Sequence, residues 1–418
     1  MGIKVLIAGA GPAGLISGYL LAKNGYEITL VEKSERIGGL LKTVQIDGIE
    51  IESVYHHILF NDSYLLKLIN ELNIRDRLRW YRSSVSLFTH QRFYDITTPL
   101  DYLSIDFLSF YNRLLLIKRL AFPREEAESL EKSFGYEIYH SFIEDMMVNK
   151  FGEFADRINL RWFIHKLRKR GRSRYIIYER LGYLTGSFRE FYEKLALSIE
   201  KGNGKILTDS NIEKVEKEGR LFNVKINNKD YEFDKIIFTV SPYEIANLIL
   251  QIDPDFSSRL LRLEYMSNIT LLLYTARNLT DYYWINIADR NIKLTGIISQ
   301  SNLVTYRGTK GFFTYLSLYL NRESTLLKMG DSDILNFFIL QIEKMGINLD
   351  KSEIYDYKIT RTEYAQPLFI SEQDLILSKI STPVEDIFIL NNHSILPDDR
   401  GLDNIVRMAE SLIHILRG

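Results

Sequence analysis

Gly9, Gly11 and Gly14 stand in the stretch GAGPAG with GxGxxG spacing, and a carboxylate, Glu32, follows eighteen residues after the last of them. Together they could hold a dinucleotide. The first glycine permits a tight turn, the second lets backbone approach a pyrophosphate, and the third allows a helix to pack closely on a strand. Pro12 and Ala13 would open that helix and turn its positive end toward the anion. Glu32 could then accept hydrogen bonds from an adenosine ribose, which argues against a cofactor bearing a 2′-phosphate. An ordinary glycine-rich turn is the plain alternative.

A second set is SVYHHILF, residues 53–60, which places His57 beside Tyr55 and His56. A neutral histidine here could donate a hydrogen bond to a bound ring or move a proton. It could equally be a histidine satisfied in a packed strand. Adjacent strand residues face opposite sides, so His56 and His57 are not expected to share a metal. A third set is basic: residues 161–180 carry eight Lys/Arg and one Glu. Such a run is a solvated surface, an anion site for a diphosphate, or a patch that docks on anionic lipid.

These residues need particular elements around them. Residues 4–8 form a short apolar run before the glycines, and an apolar-periodic stretch then ends near Asn24-Gly25, followed by a strand at 27–32. Strand, glycine turn, helix and strand open a doubly wound α/β domain. Leu65, Leu68, Ile69 and Leu72 share a helical face behind Asp62-Ser63, a candidate N-cap. Residues 76–180 read as mostly helical and aromatic. Ser187 and Glu190 form a capping-box pattern ahead of Phe188, Phe191, Tyr192, Leu195 and Ile199. Turns at Glu218-Gly219 and Asn227-Asn228 mark a small antiparallel meander, and residues 234–242 a buried strand. A last strand at 387–390 leads to an amphipathic helix carrying Leu402, Ile405, Val406, Ala409, Leu412, Ile413 and Leu416.

Residues 32–39, EKSERIGG, resemble the extended motif of FAD enzymes of the amine oxidase and protoporphyrinogen oxidase superfamily. The resemblance implies that Lys33, Arg36, Gly38, Gly39 and Leu40 lie beside the pyrophosphate and the flavin. Leu40 replaces an arginine common in amine oxidases, so an amine substrate is not favoured. RLGYLTGSF at 180–188 looks like a family segment, which brings Arg180 and Tyr183 forward as catalytic candidates. The strand opening at Ile212 resembles the one flanking adenine. Residues 234–242 and 361–367 look like two later family motifs. Where the family carries a Gly-Asp pair, this chain has Asn391-Asn392, and Asn392 could still hydrogen-bond a ribityl hydroxyl. Backbone amides at Asn404 and Ile405, opening the last helix, could face the flavin. HILF, with His57, is similar to a stretch that lies on the flavin in UDP-galactopyranose mutase.

The resemblance implies an α/β fold: a discontinuous Rossmann-like FAD-binding domain with a mixed α+β substrate and cap domain. FAD-binding segments are expected at 1–75, 181–248 and 379–418, a helical cap at 76–180 and a substrate domain at 249–378. The expected function is a FAD-dependent oxidoreductase that passes a hydride from an organic substrate to flavin N5, with an external acceptor reoxidising the flavin. A non-redox nucleotide-sugar mutase is the alternative, and a lipid-escort protein of the Rab GDP-dissociation inhibitor type is the alternative of another class.

Composition narrows the field. With 418 residues, 53 basic and 54 acidic side chains, the net charge of −1 speaks against a nucleic-acid binder. The chain has no cysteine, which excludes thiol nucleophiles, disulfides and thiolate metal centres. Its most lipid-like window, residues 103–122, contains Asp106, Arg113, Lys118 and Arg119, so no membrane span is expected. The expected partner is a small molecule, anionic if the basic run serves it, with peripheral membrane contact left open and a cytoplasmic location.

Overall fold

The computed structural model describes residues 2–124, 126–175 and 177–417. Its organising element is a five-stranded parallel sheet in the order Lys205–Leu207, Glu27–Val31, Lys4–Ala8, Lys235–Phe238, Ile387–Ile389. The central strands are continuous apolar runs because both faces are covered. Val5 and Ile7 pack with Leu15, Phe191, Leu195 and Val406, from the helices Pro12–Lys23, Arg189–Lys201 and Leu402–Arg417. Leu6 and Ala8, one residue out of phase, pack with Val215 and Phe222 of the meander Ile212–Glu218, Leu221–Ile226, Lys229–Phe233. The domain is therefore assembled from distant parts of the chain.

A seven-stranded mixed sheet forms the second body. Its order is Ile354–Pro367, Tyr265–Thr275, Phe312–Asn321, Gly296–Ser299, Trp284–Ile287, Val85–Thr89, Arg92–Asp95. Leu271 and Leu273 face the helix Asp331–Glu343 through Ile334 and Phe338. Leu272, Tyr274 and Tyr315 face the core beside the parallel sheet instead. A third apolar cluster, with Phe134, Phe151, Trp162 and Phe163, belongs to helices that include Phe110–Ala121, Glu144–Phe151 and Leu160–Arg172.

Several sequence expectations change. Residues 76–180 are mostly helical, as expected, but the helices are framed by strands: Leu78–Arg82, Val85–Thr89 and Arg92–Asp95 precede them, and Tyr178–Leu184 follows. The aromatic residues there concealed a period of two. Ser187–Glu190 is not a capping box. Phe188 is the N-cap, Ser187 has φ of +84°, and the Phe188 amide donates to the buried Glu52 carboxylate at 2.6 Å. Asp62 does sit at the N-cap of Ser63–Glu71 but makes no side-chain cap. The amides of Tyr64 and Leu65 donate instead to Asp403 of the last helix, at 2.9 and 3.1 Å. Residues 53–57 are irregular backbone leading into the two-residue strand Ile58–Leu59. Among the described residues, no helix is long and apolar enough to cross a membrane.

Candidate functional site

The glycine turn is built for close approach. Gly9 has φ of +101°, a conformation that a Cβ disfavours. A Cβ on Gly14 would lie 1.9 Å from the Gly9 carbonyl oxygen, so the third glycine lets the Pro12–Lys23 helix abut the turn. Gly38 donates its N–H to the Ala10 carbonyl at 2.8 Å, and a Cβ on Gly39 would come 2.8 Å from the Gly11 Cα. Two glycine segments distant in sequence thus form one open-faced backbone surface at a helix N-terminus. Leu40 is half-buried in the short turn Gly39–Leu41.

Glu32 ends the second strand and is oriented by the loop it serves. Its Oε2 accepts the Ala10 N–H at 2.9 Å, and its Oε1 accepts the Ser34 N–H at 3.0 Å and the Ser34 hydroxyl at 2.6 Å. A carboxylate retains acceptor capacity beyond these bonds. The Lys33 ammonium turns outward to Glu244 at 2.5 Å, so only its backbone lies by the turn. Arg36 is exposed, with a 3.4 Å contact to the Thr43 carbonyl. Ile212 is half-buried at the start of its strand. Sequence reasoning missed Thr239, whose hydroxyl bonds the Ala8 and Gly9 carbonyls at 2.7 and 3.1 Å. A hydroxyl after a buried strand was the only signal for it.

At the C-terminal end the two asparagines divide the work. Asn391 is buried, donates to the Val240 carbonyl at 2.9 Å and accepts the His393 N–H at 3.0 Å, which fixes the turn. Asn392 is left half-buried beside it. Asn404 donates to the Asp399 carbonyl at 2.8 Å, and the Ile405 amide is bonded within its own helix to Gly401. The amides of Leu402, Asp403 and Asn404 are therefore the first-turn donors that remain. Ile405 itself contributes a buried side chain to the core.

His57 lies deep between two side chains. Its Nδ1 is 3.1 Å from the Tyr283 hydroxyl, and Arg170 approaches its Nε2 at 3.4 Å. Because arginine only donates, this arrangement assigns the proton to Nδ1. Burial, and then the Arg170 charge, push the His57 pKa well below the usual range, so the ring is neutral. Trp284 makes edge contacts with both His57 and Tyr55, at 6.0 and 5.3 Å between ring centroids. His56 donates from Nδ1 to the Val54 carbonyl at 2.7 Å, and burial lowers its pKa to about 4. Its Nε2 is consequently a lone-pair acceptor.

Tyr183 is elsewhere. It is 1% exposed, and its hydroxyl donates to Glu52 Oε2 at 2.5 Å, while Tyr315 donates to the Glu52 carbonyl at 2.6 Å. Burial pushes the Glu52 carboxyl up, against the pull of Tyr183 and the Phe188 amide. Arg180 lies on the same strand an odd number of residues away, so the two side chains leave opposite faces. His57, Tyr183 and Arg180 are not gathered into one group.

The basic run is largely an internal stitch rather than a solvated surface or lipid patch. Arg170 forks onto Glu179 at 2.9 and 3.1 Å, and Lys169 reaches Asp62 at 3.0 Å and Asp403 at 3.5 Å. His165 meets Asp398 at 2.7 Å, Lys166 meets Asp399 at 3.5 Å, and Arg161 contacts Glu372 at 3.4 Å. The helix Leu160–Arg172 thereby binds the loop that precedes the last helix.

The fold is shared with solved structures. One is a provisionally assigned protoporphyrinogen oxidase from Exiguobacterium sp. 255-15, with a TM-score of 0.79 at 16% identity over 100% of this chain and 99% of that one. Another is reduced UDP-galactopyranose mutase, with a TM-score of 0.78 at 15% identity over 99% and 95%. Identities this low establish the fold alone. In sequence, 172 residues are 22% identical to mitochondrial protoporphyrinogen oxidase of Nicotiana tabacum, covering 38% of this chain and 34% of that protein. The chain thus spans about a third of that relative's length. Residues 12–394 match the model for flavin containing amine oxidoreductases. On that match the chain belongs to the flavin containing amine oxidoreductase family of FAD-dependent oxidoreductases.

Proposed function

We propose that this enzyme removes a hydride and a proton from a small organic molecule and delivers the electrons to an external acceptor. When bound, FAD supplies the two-electron chemistry through its N5. The turn Gly9–Gly14 with the N-terminus of Pro12–Lys23 would hold the pyrophosphate, and Glu32 the adenosine ribose. Arg36, Gly38, Gly39 and Leu40 would border the rest of the cofactor, Ile212 the adenine, and Asn392 with the first-turn amides near Asn404 the flavin end. Neutral His57, held by Tyr283 and Arg170, fixes the wall of the substrate space. His56, kept neutral by burial, presents a lone pair on Nε2 that can accept a hydrogen bond. Tyr183 supports this wall from the core through Glu52, so its part is positioning.

The observation that carries this reading is the meeting of Gly39 with Gly11 at a helix N-terminus, an approach that a Cβ on Gly39 would block. The visible absorption spectrum of the purified protein tests it. A flavin spectrum is expected, whereas a preparation that stays colourless after incubation with FAD refutes it. The fold shared with reduced UDP-galactopyranose mutase favours a second reading, isomerisation of a nucleotide sugar. Turnover that needs prior flavin reduction and consumes no oxygen would select it.

A further inference from the structure

Three basic side chains from three elements, Lys150, Lys166 and Arg400, come together beside the half-buried carboxylate of Asp399. Lys166 Nζ is 3.5 Å from Asp399 Oδ2. Lys150 Nζ lies 4.6 Å from the centroid of Trp162, 5.1 Å from Phe151 and 5.4 Å from Tyr319. Arg400, which donates to the Ala365 carbonyl, sits 5.3 Å from the same Tyr319 ring. Lys166 shares the Trp162 ring with Lys150, at 5.1 Å. Asp399 faces Lys166 and Lys150, and Lys150 in turn faces Arg400, while Asp398 is held by His165 and Arg407 and Glu179 by Arg170.

One carboxylate stands against three basic side chains, and uncompensated charge away from bulk water is costly. Burial first, then the neighbouring Lys166, hold Lys150 well below the usual lysine range. Burial also lowers Arg400. Yet the groups are not sealed in: the side chains of Lys166 and Asp399 keep 35% and 22% of their exposure, and Lys150 and Arg400 are only half-buried. The site is open to a ligand and short of negative charge. It is also continuous with the histidine wall: Tyr55 senses both Arg400 and Asp399 and makes an edge contact with Trp284.

We propose that Lys150, Lys166 and Arg400 bind an oxyanion, carboxylate or phosphate, of a substrate whose aromatic or apolar body lies against Tyr55 and Trp284. The word substrate rests on the flavoenzyme reading; the anion site itself does not. Ammonium and guanidinium groups suit either oxyanion through charge-assisted hydrogen bonds, and the rings supply a flat, apolar flank.

The test titrates the protein as purified with benzoate, phenyl phosphate and the neutral benzamide, with sodium chloride as the ionic-strength control. Two of the three tryptophans, Trp162 and Trp284, lie at the site, so intrinsic fluorescence reports occupancy whether or not flavin is present. Saturable quenching by one or both anions, with benzamide about tenfold weaker or worse, is expected. Binding of benzoate alone assigns a carboxylate, and of phenyl phosphate alone a phosphate. Lys150→Met with Lys166→Met should weaken the anion about tenfold or more while flavin content stays unchanged. Lys310→Met, on an exposed residue, should match the parent. Should the double variant not fold, Lys166→Met alone carries the comparison. No saturable response to either anion, or an unchanged response in the variants, overturns the proposal and leaves the flavin assignment standing. Variants that lose flavin but bind the anions normally also overturn it, by assigning the cluster to the cofactor. A colourless protein that still binds the anions supports the site and refutes the flavoenzyme reading.

Discussion

Gly14→Ala and Gly11→Ala separate what the glycine turn does for the fold from what it does for the ligand. A Cβ on Gly14 would sit 1.9 Å from the Gly9 carbonyl oxygen, a backbone atom that no rotamer change can remove. Opening that contact to 3.0 Å, below which real Cβ contacts essentially do not occur, needs a movement of about 1.1 Å between helix and turn. Overpacking of this kind costs about 1–3 kcal/mol of stability. The first-turn amides of that helix, which in the proposed function would face a pyrophosphate, move with it. Each charge-assisted hydrogen bond lost is worth about 1.5–3 kcal/mol, so two such losses weaken cofactor binding about 10²-fold or more. Gly11 differs: its φ is −74°, and a Cβ would meet nothing nearer than the Gly39 Cα at 3.8 Å. Gly11→Ala should change the stability of the flavin-stripped chain by less than about 1 kcal/mol, yet place a methyl where backbone must approach the ligand. The assay is the flavin-to-protein absorbance ratio after gel filtration, beside the urea midpoint of each stripped protein. The expected pattern is loss of both quantities in Gly14→Ala and of flavin alone in Gly11→Ala. Parent-like stability in Gly14→Ala would refute the steric argument, and full flavin in Gly11→Ala would refute the close approach.

Three further outcomes follow from the interior. Burial lowers His56 and His393 to about 4 and holds His57 well below its usual range, so their neutral-state stabilisation is complete above the unfolded value near 6.5. It is lost as the pH falls toward 4, each group adding up to about 1.4 kcal/mol per pH unit. Urea midpoints measured across that interval should fall more steeply in the parent than in His56→Gln with His393→Asn, and equal slopes would contradict the assignment. Asp403→Ala removes the acceptor for the Tyr64 and Leu65 amides and a partner of Lys169. It should cost about 1–3 kcal/mol and speed hydrogen exchange at the start of Ser63–Glu71, while Asp403→Asn loses less. Glu52→Gln replaces one of two acceptors with a donor that faces the Tyr183 hydroxyl or the Phe188 amide. A loss of about 1–3 kcal/mol is expected, and it should be strongly non-additive with Tyr183→Phe in a double-mutant cycle.

The sequence by itself determined the parts that are local. Strand, glycine turn, helix and strand are covalently consecutive, so spacing alone located Gly9, Gly11, Gly14 and Glu32. Turn chemistry likewise marked the meander at Gly219 and Asn227-Asn228, all of which have positive φ. Periodicity located the last helix because one of its faces is wet and the other buried. Tertiary structure decided whatever depends on partners distant in the chain. Gly39 meets Gly11 across 28 residues, and Asp403 caps a helix 338 residues earlier. The basic run became an internal stitch because its acids lie at 62, 179, 372, 398, 399 and 403, which no local pattern reveals. The buried Glu52 took the Phe188 amide and displaced a local capping box that looked complete, because a carboxylate away from water binds whatever donors packing brings to it. Lys150 carried no motif at all. Its place beside Lys166, Asp399 and Arg400 exists only once the cap helices lie on the loop before the last helix.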